Sequence, residues 1–167
     1  MKGNKGITLI ALVVTIIVLL ILAGVAIAML TGDNSILKRA QSTQAYSAIG
    51  AAKDEVNLAY NAAFAEYLKL KYEATNSTAA TTDFATLLHN RIDSTDAAYK
   101  NNTAQAHMTA RNTNTATTTI VQSTDKITIT YTDTQSKLKY TTEASLSTAE
   151  NAESLGAWTA VKEEANS

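Results

Sequence analysis

Neither cysteine nor proline occurs among the 167 residues of the chain. Without cysteine it can make no disulfide, offer no thiol nucleophile and build no thiolate metal site. A chain of this kind, if exported, must hold together by packing or by its neighbours in an assembly. Without proline, no helix need be interrupted by a missing N–H. Charge is sparse and balanced, with 14 Lys and Arg against 15 Asp and Glu and a formal net charge of −1. The basic residues are scattered, so no global field favours nucleic acid or an anionic membrane surface. His89 and His107, the only histidines, stand 18 residues apart in polar stretches without metal-ligand spacing. No glycine-rich phosphate loop, nucleophile elbow or HExxH motif is present. The sequence therefore nominates no catalytic residue, no metal and no cofactor, and it offers no cluster of polar groups on which to base an enzyme.

What is present is one long apolar run. Ile7 to Leu30 is 24 residues without a charge, preceded only by the basic stub MKGNKG. Apolar runs of about 18 residues or more read as membrane-spanning helices. At 1.5 Å per residue this one measures roughly 36 Å, enough to cross a hydrocarbon core of about 30 Å with some tilt. Lys2 and Lys5 on the short side leave the stub in the cytoplasm and send the remainder outward. The same pattern also opens a secretory signal. Ala26-Ile27-Ala28 fits a small-residue cleavage site that would make Met29 the first mature residue. The run before it is long for such a signal, and no polar segment separates the two. A plain uncleaved anchor is the other ordinary reading. Gly32, Asp33 and Asn34 within Thr31–Ser35 punctuate the helical pattern, and Asn34 or Ser35 can cap a new helix.

The junction Lys5-Gly6 followed by Ile7-Thr8-Leu9-Ile10-Ala11-Leu12-Val13 resembles the class III signal of type IV pilins and pseudopilins. With the following Thr31-Gly32-Asp33-Asn34 it is most similar to pilin-like proteins of Gram-positive bacteria of the clostridial type. The resemblance covers about the first 40 residues, and its shape is fairly specific: a short basic leader, a glycine, then an apolar run beginning with a Thr-Leu-Ile core. It implies that a prepilin peptidase cuts after Gly6, that Ile7 becomes the N-methylated first mature residue, and that the apolar helix is retained. Two positions depart from the family pattern. Ile7 replaces the usual phenylalanine, and Ala11 stands where a glutamate usually neutralises the terminal amine of a neighbouring subunit. An unpaired ammonium in an apolar core is costly. Ala11 therefore puts that means of neutralisation in doubt and leans slightly toward a minor subunit.

Beyond the break the helical period resumes. Ile36, Leu37, Ala40, Ile49, Ala52, Val56, Ala59, Tyr60, Ala63, Phe64, Tyr67 and Leu70 follow steps of three and four, predicting an amphipathic helix over 36–72. Its other face carries Lys53, Asp54, Asn57, Asn61, Glu66, Lys69 and Glu73, with Glu66–Lys69 and Lys69–Glu73 at pairing distance. Tyr60, Phe64 and Tyr67 read as core, and Tyr46 and Tyr72 as subunit contacts.

Residues 73–167 form the head, which is rich in threonine, alanine and asparagine. Asp83–Ile92 reads as a short helix and Asp96–Met108 as weakly helical. The period then drops to two. Thr117–Val121, Lys126–Thr132 and Lys137–Thr142 predict a three-stranded antiparallel meander, with Ile127, Ile129 and Tyr131 on one face. Ser147–Leu155 suggests a short helix, and Ala157–Lys162 an edge strand with Trp158 or Val161 inward. Asp125 and Asp133 fall in turns, and the acids Glu143, Glu150, Glu153, Glu163 and Glu164 read as a solvated face. The expected fold class is α+β: a long N-terminal helix, apolar then amphipathic, with a small antiparallel sheet packed on its second half.

These residues support a mechanical function. A helix apolar around its whole circumference can be satisfied by lipid or by copies of itself. Outside lipid its large side chains, at about 1.5–3 kcal/mol each, would cost tens of kcal/mol. Association between apolar helices depends on close approach at small residues, here Ala11, Gly24 and Ala28, with Gly24 and Ala28 forming a small-xxx-small pair. A head-to-tail contact that does not close builds an open helix. The expectation is a homo-oligomeric filament that leaves the membrane by external work, which the resemblance assigns to a cytoplasmic ATPase and a membrane platform protein. The rival is a monomeric, membrane-anchored surface protein with a ligand-binding Thr/Asn-rich head.

Overall fold

The computed structural model describes residues 5–32, 35–74, 83–147 and 154–165. Two compact units divide the chain, Met1–Gln44 and Ala45–Ser167. The first contains α1, Lys5–Thr31. It also holds the opening of α2, which runs from Ile36 to Ala74. The interruption falls where glycine and polar residues predict it. The Gly32 carbonyl accepts from Ser35 N–H (2.8 Å), and Ser35 Oγ then caps α2 by accepting from Lys38 N–H (3.1 Å). Asp33 and Asn34, the other expected break residues, lie outside the described residues.

In the second unit, Ala45, Ile49, Ala52, Val56 and Ala63 of α2 are buried, with Ala59, Tyr60, Phe64, Tyr67 and Leu70 packed at the edge of the same core. The stripe starts later than its periodicity suggests. Ile36 and Leu37 are 74% and 52% exposed, because the core begins only at Ala45. Phe84 opens α3 (Phe84–Ile92) and is met edge-on by Tyr60, Phe64 and Tyr67 at centroid distances of 5.6, 6.2 and 5.6 Å. Those three aromatics, partly buried, pack against the core. Glu66 does not pair with Lys69; it takes Arg91 of α3 at 2.7 Å. The weakly helical stretch resolves into a 3-10 turn, Lys100–Asn102, and α4, Ala104–Thr109. Thr103 caps α4 by accepting from Ala106 N–H at 3.0 Å.

The meander follows as β1 (Ala116–Gln122), β2 (Lys126–Asp133) and β3 (Leu138–Ser147). All pairings are antiparallel, with Ile120 opposite Ile129 and Ile129 opposite Thr142. Strict alternation turns Ile127, Ile129 and Tyr131 into the core and their threonine neighbours out. Two further strands, β4 (Ser154–Trp158) and β5 (Lys162–Ala165), both pair with β3. The helix expected over Ser147–Leu155 is thus overturned at both ends: Ser147 closes β3, and Ser154 and Leu155 pair with Ser147 and Leu146. Ladder hydrogen bonds along β3 outweigh the helical preference of so short a segment. The single edge strand expected near Ala157–Lys162 is really these two strands, with Trp158 and Val161 packed against the core as anticipated. Lys137, expected to begin β3, belongs to the preceding turn, where its φ of 54° is incompatible with a strand. The fold is α+β.

Candidate functional site

The feature that calls for a function is α1. Every large apolar side chain from Ile7 to Leu30 is exposed, from 46% at Val13 to 71% at Ile7. Surface of this kind is unstable in water and must be covered by something other than the unit it belongs to. At 27 residues, α1 is about 40 Å long, so it is long and apolar enough to cross a membrane. Two of its hydroxyl side chains are accommodated within the helix. Thr15 Oγ1 donates to the Leu12 carbonyl (2.8 Å) and Thr31 Oγ1 to the Ile27 carbonyl (2.9 Å). Such back-bonding leaves no hydroxyl proton to be satisfied by a hydrocarbon surround.

Gly6 and Ile7 lie in the first turn of α1, and the Ile7 side chain is exposed. Ala11 is exposed one turn further on, and the described first turn contains no acid. Gly24 and Ala28 are adjacent turns on one side of the helix. A Cβ added at Gly24 would meet nothing within 4 Å, so a side chain there would fill only space that a neighbour could use. At Gly32 the same addition would approach the Ala28 carbonyl to 3.1 Å.

The head contributes polar clusters that sequence reading missed. Glu55 sits at the border of the buried stripe of α2, where a carboxylate needs polar partners. It finds two, His107 Nδ1 at 2.9 Å and Arg111 at 3.2 Å. His89 Nδ1 stands 2.8 Å from the Asp93 carboxylate. Both histidines are tied to acids of the fold. Beside Glu55 a hollow of about 250 Å³ is lined by Leu58, Ala62, Arg91, Asn102 and His107. Among the described residues no group of three or more His, Asp or Glu is placed to hold a metal ion. On the outer sheet face Lys126 lies 2.8 Å from Glu143, and Lys139 3.0 Å from Glu164. Hydrogen bonding and charge from those lysines hold both carboxyls below their ordinary range. Glu143 in turn raises Lys126. Burial pushes the phenols of Tyr131 and Tyr140 up.

No protein-family model, curated protein or solved structure matches this chain.

Proposed function

We propose that the chain is a structural subunit of a type IV pilus or pseudopilus that polymerises through α1 into an extracellular filament. The observation that supports this most is the exposure of α1 around its whole circumference from Ile7 to Leu30, since a helix of this kind suits lipid and copies of itself equally. In this reading a prepilin peptidase cuts between Gly6 and Ile7, and Ile7 is then N-methylated. The subunit waits as a single-pass membrane protein until an assembly ATPase, acting through a platform protein, extracts it. Ala11, Gly24 and Ala28 let neighbouring helices approach closely. With Ala11 in place of an acid, either Thr8 and carbonyl oxygens solvate the amine of Ile7, or the tip stays near an interface, or the chain is not a major subunit.

The decisive measurement is the mass of the mature N-terminus. A mature chain that starts at methylated Ile7, recovered in filaments sheared from the cell surface, is the expected result. A start at Met29 means ordinary secretion and loss of α1; retention of Lys2 and Lys5 means a plain anchor. The hollow beside Glu55 favours a second reading, an anchored monomer whose head binds a ligand there. In that case Ile7–Leu30 stays in the bilayer and no filament carries the chain.

A further inference from the structure

Among the described residues β1 is a lateral edge of the sheet, for it pairs there with β2 alone. Its sequence, ATTTIVQ, has no charge and five β-branched residues in seven. Edge strands with that composition recruit strands from other chains unless a charge, a bulge or a cover prevents it. In an antiparallel ladder every second residue turns its N–H away from the partner strand. On β1 those residues are Ala116, Thr118, Ile120 and Gln122, and each of the four N–H groups is taken by a side-chain oxygen. Ala116 N–H donates to Thr113 Oγ1 (3.0 Å), Thr118 N–H to Asn112 Oδ1 (2.7 Å), Ile120 N–H to Gln105 Oε1, and Gln122 N–H to Asp93 Oδ2 (3.1 Å).

The acceptors come from three places in the chain. Asp93 follows α3, Gln105 lies in α4, and Asn112 and Thr113 belong to the segment between α4 and β1. One of them is itself oriented: Gln105 Nε2 donates to Thr109 Oγ1 (2.9 Å), which aims its oxygen at Ile120. The other oxygen of Asp93 lies 2.8 Å from His89 Nδ1. The Ala116 carbonyl is also used, accepting from Thr113 N–H at 2.9 Å. Four side chains thus stand in for the missing neighbour strand.

From this we infer that Asp93, Gln105, Asn112 and Thr113 form a clasp that occupies the open edge of β1 and stops the head from adding a strand of a second copy of the chain. The clasp does not depend on filament formation; it serves any state in which many heads are held near one another. It leaves association to surfaces other than this edge.

The absence of cysteine allows a clean test on the full chain in detergent micelles. Thr119 is exposed and lies between the Thr118 and Ile120 N–H groups, so two β1 edges paired antiparallel would bring two such positions face to face. Thr119→Cys alone is expected to give little disulfide-linked dimer under mild oxidation. Adding Gln105→Met and Asn112→Ala removes two acceptors. The expected results are at least tenfold more linked dimer and at least tenfold faster amide exchange at Thr118 and Ile120. Gln105→Glu, which keeps the acceptor, should behave as the parent does. Faster exchange without linked dimer overturns the inference, as does unchanged exchange. Should the double removal unfold the head, Gln105→Met alone carries the same test. Ile127→Val, a core change that leaves the clasp intact, must not raise cross-linking; if it does so equally, general loosening is the cause and the clasp is refuted.

Discussion

Lys137 adopts a left-handed conformation, φ 54°, that side chains with a Cβ resist. The turn is held by Asp133, whose Oδ1 accepts from Gln135 and Ser136 N–H at 2.9 and 3.4 Å, so the backbone cannot relax to suit the lysine. Lys137→Gly should raise unfolding free energy by about 1 kcal/mol, read as a higher denaturant midpoint at unchanged slope. Gly50 is the converse case. It lies within α2, and a Cβ there would meet nothing within 4 Å. Gly50→Ala should therefore stabilise by about 0.5–1 kcal/mol through helix propensity, measured the same way. At this scale the sequence was partly legible. Ser35 as a cap and Asp133 as a turn residue follow from side chains that reach only two or three positions away. Glu55 was not legible, because His107 is 52 positions distant.

Among the elements, the meander was readable because side chains alternate along each strand whatever the strand pairs with. β4 and β5 were not. Ser154–Trp158 and Lys162–Ala165 are short and lack alternation, and they become strands only because β3 is ten residues long and offers them its second edge. The ion pairs across β2, β3 and β5 make the head pH-sensitive in a definite direction. Glu143 and Glu164 have folded pKa values below the ordinary 4.5. Their contribution is present above the unfolded value and is lost as pH falls through the folded one. Unfolding midpoints should thus decline as pH drops below about 4.5, and Glu143→Gln should reduce the slope of that decline. Tyr131 and Tyr140 act at the other end. Their phenols are raised above 10.0, so stability falls as pH climbs past that value. Chemical denaturation across both pH ranges checks the two signs.

For the molecule as a whole, the proposal turns on the fate of α1. A Gly24→Leu subunit should still insert into the membrane and keep its head folded, since among the described residues nothing beyond its own stretch of helix lies within 4 Å of the added Cβ. Filament yield should nevertheless fall by about tenfold or more, because the added bulk keeps neighbouring helices apart at the small-xxx-small notch. Electron microscopy of sheared surface material, set beside membrane fractionation, separates the two effects. Unchanged filament yield would count against close packing at Gly24.

The amino-acid order alone determined that residues 7–30 form an apolar helix, that residues 117–142 alternate in strands, and that no thiol chemistry is available. Each is a property of composition or of spacing over a few residues, which local geometry enforces. Only the tertiary structure decided where the core of α2 begins, which side chains Glu55 meets, and which oxygens close the edge of β1. Those outcomes depend on groups far apart in the chain that come together when α3 and α4 pack beside the sheet, and no local period encodes such a meeting.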